Sequence, residues 1–101
     1  MAKVARIGDQ GYGTCHNHDH PVDCTITFTS GDSYVTADGI PVCVVGSVGT
    51  TSCGHTIIAT TGSSICVGTG GKGIHRVGDT GEVVGGGTYT VTSGSPTVDS
   101  L

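Results

Sequence analysis

The chain has 101 residues, 35% of them hydrophobic, 12% charged and 19 of them glycine, with a net charge of −4. One domain of this size has a thin core, and its few dispersed cations, Lys3, Arg6, Lys72 and Arg76, argue against a nucleic-acid partner. No apolar run reaches the ~20 residues of a membrane-spanning helix, and the N-terminus lacks the apolar region of a signal peptide, so synthesis in the cytoplasm is expected.

In chain order, Val4-Ala5-Arg6-Ile7-Gly8-Asp9 is a short β-type run ending in a turn signal. Residues 10–29 follow as a linker whose second half alternates at Ile26 and Phe28. Ser30-Gly31-Asp32-Ser33-Tyr34-Val35 opens a β-type unit that crosses a hairpin at Asp38-Gly39 and ends at Val42-Cys43-Val44-Val45-Gly46-Ser47. A second linker, 48–60, carries Ile57 and Ala59 at matching alternate positions. Thr61-Gly62-Ser63-Ser64-Ile65-Cys66, a turn at Gly70-Gly71 and Ile74-His75-Arg76-Val77-Gly78-Asp79 form the next unit. A third linker, 80–92, has Tyr89 and Val91 in phase and carries Gly85-Gly86-Gly87. Ser93-Gly94-Ser95-Pro96-Thr97-Val98 then begins a unit that the chain does not finish.

The β-type runs thus align in two gapless sets of three. The unit begun at Ser93 lacks a second half, and residues 2–9 are a second half without a first. The chain is therefore expected to close as three equivalent units, a monomer with approximate threefold symmetry and adjacent termini. Period-two alternation and the absence of a 3.6-residue pattern predict an all-β domain over residues 1–101 with almost no helix.

Five cysteines and five histidines in a chain made in the cytoplasm favour metal over disulfides. Most of them fall in two linkers. Cys15, His16, His18, His20 and Cys24 are in the first, and Cys53-Gly54-His55 in the second. Thiolate and imidazole together suit a closed tetrahedral zinc site tying the two linkers, and its binding energy would add to folding. Cys53 and His55 either alternate along a strand or flank a turn at Gly54. His55 shares its repeat position with Cys24, and the first linker offers more donors than one site needs. The rival structural reading is a disulfide such as Cys15–Cys24. Cys43 and His75 align with Ala5, which argues against a ligand role, and Cys66 aligns with Val35 and Val98 as a small apolar residue.

The order of Ala5-Arg6-Ile7-Gly8-Asp9, Gly39-Ile40-Pro41, Ser52-Cys53-Gly54-His55-Thr56, His75-Arg76-Val77-Gly78-Asp79 and Ser93–Val98 resembles the PAAR-repeat family. The resemblance implies a small conical fold of three pseudo-threefold-related β-hairpin units with zinc near its apex. It implies that the broad base caps a trimeric β-helical spike, VgrG-like in a type VI secretion system or the spike of a contractile phage tail. The place of action would be a virion tail tip or secretion apparatus, against a target cell membrane. The zinc ligands it implies are His18, Cys53 and His55, with Cys15 or His16 as fourth and His20 and Cys24 in reserve. The base would bind through apolar residues such as Val35, Val67 and Val98. Val44 and Ser47 replace the Arg and Asp of the middle motif, and the ion pair and turn contact are expected to be missing there. The chain stops soon after Val98, from which a dedicated tip without an attached effector is expected. The competing functions are a zinc-dependent enzyme, disfavoured because no carboxylate has an evident general-base role, and a stand-alone zinc-binding adhesion or interaction module.

Overall fold

A computed structural model describes residues 2–16 and 20–100. The fold is all-β, and its only helical element among the described residues is a single 3₁₀ turn at Thr69–Gly71. Six strands close an antiparallel barrel: β2 (Gln10–Cys15), β3 (Val22–Phe28), β6 (Val48–Thr51), β7 (Thr56–Ala59), β8 (Thr80–Val83) and β9 (Gly87–Val91). They are the three linkers, each folded into a hairpin. The linkers therefore make up the barrel wall rather than loops between units. Their alternation is what a strand with one buried face requires: Ile26, Phe28, Ile57, Ala59, Val83, Tyr89 and Val91 are all buried.

A barrel this narrow cannot hold a side chain at every inward position. Gly11, Gly49 and Gly81 occupy the same repeat position and are all buried. At Gly81 a Cβ would lie 2.3 Å from the Tyr89 ring, which crosses the space the glycine leaves open.

The three Val/Ile-to-Asp/Ser motifs meet below the barrel. The Ala5 amide donates to the His75 carbonyl, His75 to Cys43, and Cys43 to Ala5, each at 2.9 Å, so the three bonds close a ring. Bridges Val4–Arg76, Arg6–Val42 and Val44–Ile74 reinforce it. Each motif then turns through a glycine at positive φ (Gly8 91°, Gly46 96°, Gly78 94°) into a barrel strand.

Within each turn, a side chain at the fourth position accepts from the backbone amide three residues earlier. Asp9 serves Arg6 and Asp79 serves Arg76, both at 2.8 Å, and Ser47 serves Val44 at 3.0 Å. The middle motif thus keeps its turn contact, contrary to expectation, because a hydroxyl oxygen accepts there as a carboxylate does. What it lacks is a counterpart of the Arg6–Asp9 (3.1 Å) and Arg76–Asp79 (2.9 Å) ion pairs.

On the other side of this ring lie β4 (Asp32–Ala37) and β5 (Ile40–Val42), joined by a turn at Asp38 (φ 55°) and Gly39 (φ 78°). Both positive φ values suit the tight two-residue hairpin expected of Asp-Gly. The corresponding turn of the next unit contains the 3₁₀ turn and is closed by a Val67–Gly73 bridge. The chain's two ends meet here: β1 (Ala2–Lys3) pairs antiparallel with β10 (Asp99–Ser100). The position that aligns Asp32, Ser63 and Ser95 is buried throughout. There Asp32 accepts from the Tyr34 amide, Ser63 from Ile65 and Cys66, and Ser95 from Thr97 and Val98. Asp38 accepts in turn from the Ser95 and Thr97 hydroxyls, fastening one hairpin tip to the C-terminal segment.

Two apolar clusters result. One fills the barrel; the other, Val4, Ala37, Val42, Val44 and Ile74 with Val35 and Cys66 against it, lies beyond the ring. Cys43 is wholly buried in the first, where burial pushes its thiol up to about 12, and Cys66 packs against the second. The molecule measures 39 × 24 × 22 Å, elongated with two nearly equal short axes.

His75 is also a core residue. Its ring stacks edge-on with Phe28 (5.4 Å) and Tyr89 (6.0 Å). Nδ1 is 2.5 Å from the Thr61 carbonyl and Nε2 3.0 Å from the Tyr89 hydroxyl. A carbonyl can only accept, so Nδ1 carries the proton and Nε2 accepts from Tyr89. Burial depresses the imidazole pKa, and the Thr61 carbonyl opposes it less strongly. The unfolded chain therefore takes up a proton that the folded chain resists. The stability held above the unfolded pKa of about 6.5 is expected to fall as pH drops, by up to about 1.4 kcal/mol per pH unit. Urea titrations between pH 5 and 7.5 check this. His75→Gln should show a shallower decline than the parent chain, and equal slopes would refute it.

Candidate metal centre

The donors gather at the barrel's turn end, away from the motif ring. Cys15 is the last residue of β2, and it is buried. The β6–β7 hairpin supplies the others. The Thr51 amide donates to the His55 carbonyl at 2.8 Å and the Gly54 amide to Thr51 at 3.1 Å, a tight turn that needs Gly54 at φ 89°. Of the two arrangements open from sequence, the turn at Gly54 is therefore the one adopted. It brings Cys53 and His55 to one side, where donor atoms of Cys15, Cys53 and His55 all lie within 4.8 Å of one another.

Thr51 organises this turn, a role invisible in the donor pattern. Its hydroxyl oxygen accepts from the His55 amide at 2.9 Å and lies 3.1 Å from the Cys53 sulfur. When Cys53 is a thiolate the hydroxyl donates to it, a hydrogen bond that orients the ligand from outside the coordination shell. The local signal was a hydroxyl residue two positions before Cys53, easily read as an ordinary strand threonine.

The remaining candidates divide. His16 is exposed, its amide held by the Gly86 carbonyl at 3.1 Å, and its side chain is outside the group of three. His20 is exposed and also outside it. His18 lies outside the described residues. Cys24 is buried on β3, and beyond burial itself the neighbouring thiols of Cys53 and Cys15 push its pKa up. The third hairpin contributes shape instead of ligands. Its glycines turn at positive φ directly beneath His16, where a Cβ on Gly87 would lie 2.0 Å from the Thr14 carbonyl oxygen.

Two thiols and an imidazole in this proximity, one of them fully buried, can hold a metal ion. No family model matches the chain, and no curated protein matches it. The site is consequently read from its own geometry. Its donors are soft and borderline, a combination suited to transition metals rather than magnesium or calcium, and no carboxylate is among them.

Proposed function

We propose that the chain is a PAAR-type spike tip, a non-catalytic domain with approximate threefold symmetry that caps a trimeric β-helical spike and leads it into a membrane. The observation that carries this reading is the ring of backbone hydrogen bonds joining Ala5, His75 and Cys43. A single chain that repeats the same contact three times around one ring matches the symmetry of a trimer, so one copy suffices for three spike strands. The motif turns and the aligned Asp32, Ser63 and Ser95 contacts support it in the same way.

The two ends of the molecule suit opposite roles. At one end, the donors Cys15, Cys53 and His55 fit zinc, which when bound cross-links two barrel hairpins that would otherwise separate under load. At the other, Val4, Val35, Val42, Cys66, Val67, Ile74 and Val98 line a shallow apolar groove. Val67 and Val98 are exposed there, a face suited to docking. The action is mechanical: a rigid, stapled end concentrates force on a small area.

Native mass measurement of the tagged chain purified from producing cells tests the reading. One copy per three copies of a spike protein is expected, with Val67→Asp plus Val98→Asp releasing the partner while the tip stays folded. Recovery of the free chain alone, or of a complex with equal numbers of both proteins, would sink the proposal in favour of a stand-alone metal-binding module.

A further inference from the structure

We infer that Cys24 is the fourth ligand of the metal centre, so that the site consists of three thiolates and one imidazole from Cys15, Cys24, Cys53 and His55. This rests on the metal site proposed above, though not on the spike. It replaces the histidines of residues 16–20, which the sequence favoured, with a residue of the barrel wall.

Strand register makes the case. In β3, Ile26 faces Thr51 of β6. The pairing continues one step further, for the Ser52 amide donates to the Thr25 carbonyl at 2.9 Å and the Thr25 amide to the Ser52 hydroxyl at 3.1 Å. The next residues in this register are Cys24 and Cys53. On its other side β3 pairs with β2, where Cys15 faces Val22 and Gly13 faces Cys24. Cys15 and Cys24 are thus diagonal neighbours on one face. Alternation in β3 turns that face inward, since Cys24, Ile26 and Phe28 are buried while Asp23 and Thr25 are exposed. Cys15 and Cys24 belong to one buried cluster, and Cys53 packs against it.

Three sulfurs therefore sit on the inner wall at one level, on β2, on β3 and at the β6–β7 turn, with His55 beside them. Cys24 stands outside the group whose donors all lie within 4.8 Å of one another, so closing a tetrahedral shell draws its sulfur inward. That adjustment orders little, because the residue is already held in β3 by its pairing with Gly13 of β2. Recruiting exposed His16 or His20 instead requires ordering a side chain now free in solvent, with the entropy that costs. A third thiolate as the fourth donor also closes the site to water, as structural zinc sites require.

The balance of the binding step distinguishes the two ligand sets. Zinc binding at neutral pH displaces three protons from three thiols into solvent, leaving a centre with a net charge of −1; with two thiols and two imidazoles it displaces two and leaves the centre neutral.

X-ray absorption at the zinc edge of the intact zinc-loaded chain tests the assignment. Three sulfurs and one nitrogen are expected. Cys24→Ser should lower the sulfur count to two and weaken zinc binding by more than the roughly 10–100-fold that loss of an outer-shell partner costs, whereas His16→Ala plus His20→Ala should leave the shell unchanged. Because Cys24→Ser alters the core, the parent chain and the histidine variant carry the test if it fails to fold. Two sulfurs and two nitrogens in the parent chain, or a lost nitrogen in the histidine variant, would overturn it. A three-sulfur site in a chain that binds no spike would leave this inference standing and defeat only the tip function.

Discussion

A chain lacking residues 2–9 is expected not to fold. Those residues supply Ala5 to the motif ring, and their amides and carbonyls bond Phe28, Pro41, Cys43, His75, Val77, Ser95 and Val98, residues spread over both other motifs, the barrel and the C-terminal segment. At about 1 kcal/mol for each net hydrogen bond, the loss is on the order of 8 kcal/mol. Burial of Val4 adds roughly 2 kcal/mol more. A domain of this length has about 5–15 kcal/mol in total. Deletion also strands the Cys43 amide and the His75 carbonyl inside the structure without partners, and unsatisfied buried groups are more destabilising than the bonds were stabilising. Circular dichroism and proteolysis check the outcome, and a peptide of residues 1–9 added in trans should restore structure. A truncated chain that folds and loads metal would show that the N-terminal run is an appendage rather than a third of the ring.

On the zinc centre proposed above, stripping the metal is expected to have the second largest effect. The barrel core is small, so a cross-link between its hairpins contributes a large share of the stability. If zinc is present at about 1,000 times its dissociation constant, binding contributes about 4 kcal/mol of stability. For a domain of this size that corresponds to a fall in melting temperature of roughly 16–33 °C on chelation. His55→Ala should produce most of the same fall while abolishing the response to chelator, because the variant has already lost a ligand. Calorimetry with and without chelator measures both. An unchanged melting temperature in the parent chain would mean that Cys15, Cys53 and His55 are a cluster without a metal.

The strand parity, the turn positions and the split repeat were legible in the residues, because each rests on local chemistry. Ile26 and Phe28, Ile57 and Ala59, and Tyr89 and Val91 reveal a buried face through a period of two. Gly8, Gly46 and Gly78 mark positions where positive φ is needed, and Asp38-Gly39 marks a hairpin. The interrupted unit at residues 93–101 pointed to the N-terminal run as its other half, and β1 pairs with β10. Cys53 and His55 stood out as donors because a thiol and an imidazole two residues apart have few other reasons to coincide.

Tertiary structure decided what depends on register between distant strands. Whether the linkers were loops or barrel wall turned on how six strands pair around a closed circuit, which alternation alone does not specify. Which donors converge was set the same way: Cys15 reaches Cys53 and His55 across 38 residues of chain because β2, β3 and β6 are neighbours, while exposed His16, one residue further on, does not. His75, whose alignment with Ala5 argued against a ligand role, is a core residue, since its ring nitrogens find the Thr61 carbonyl and the Tyr89 hydroxyl inside the barrel. By itself the sequence determined periodicity, turns and the inventory of donors, all encoded within a few residues. The barrel's closure and the choice among donors came from cross-strand register, where a shift of one residue would turn each side chain to the opposite face.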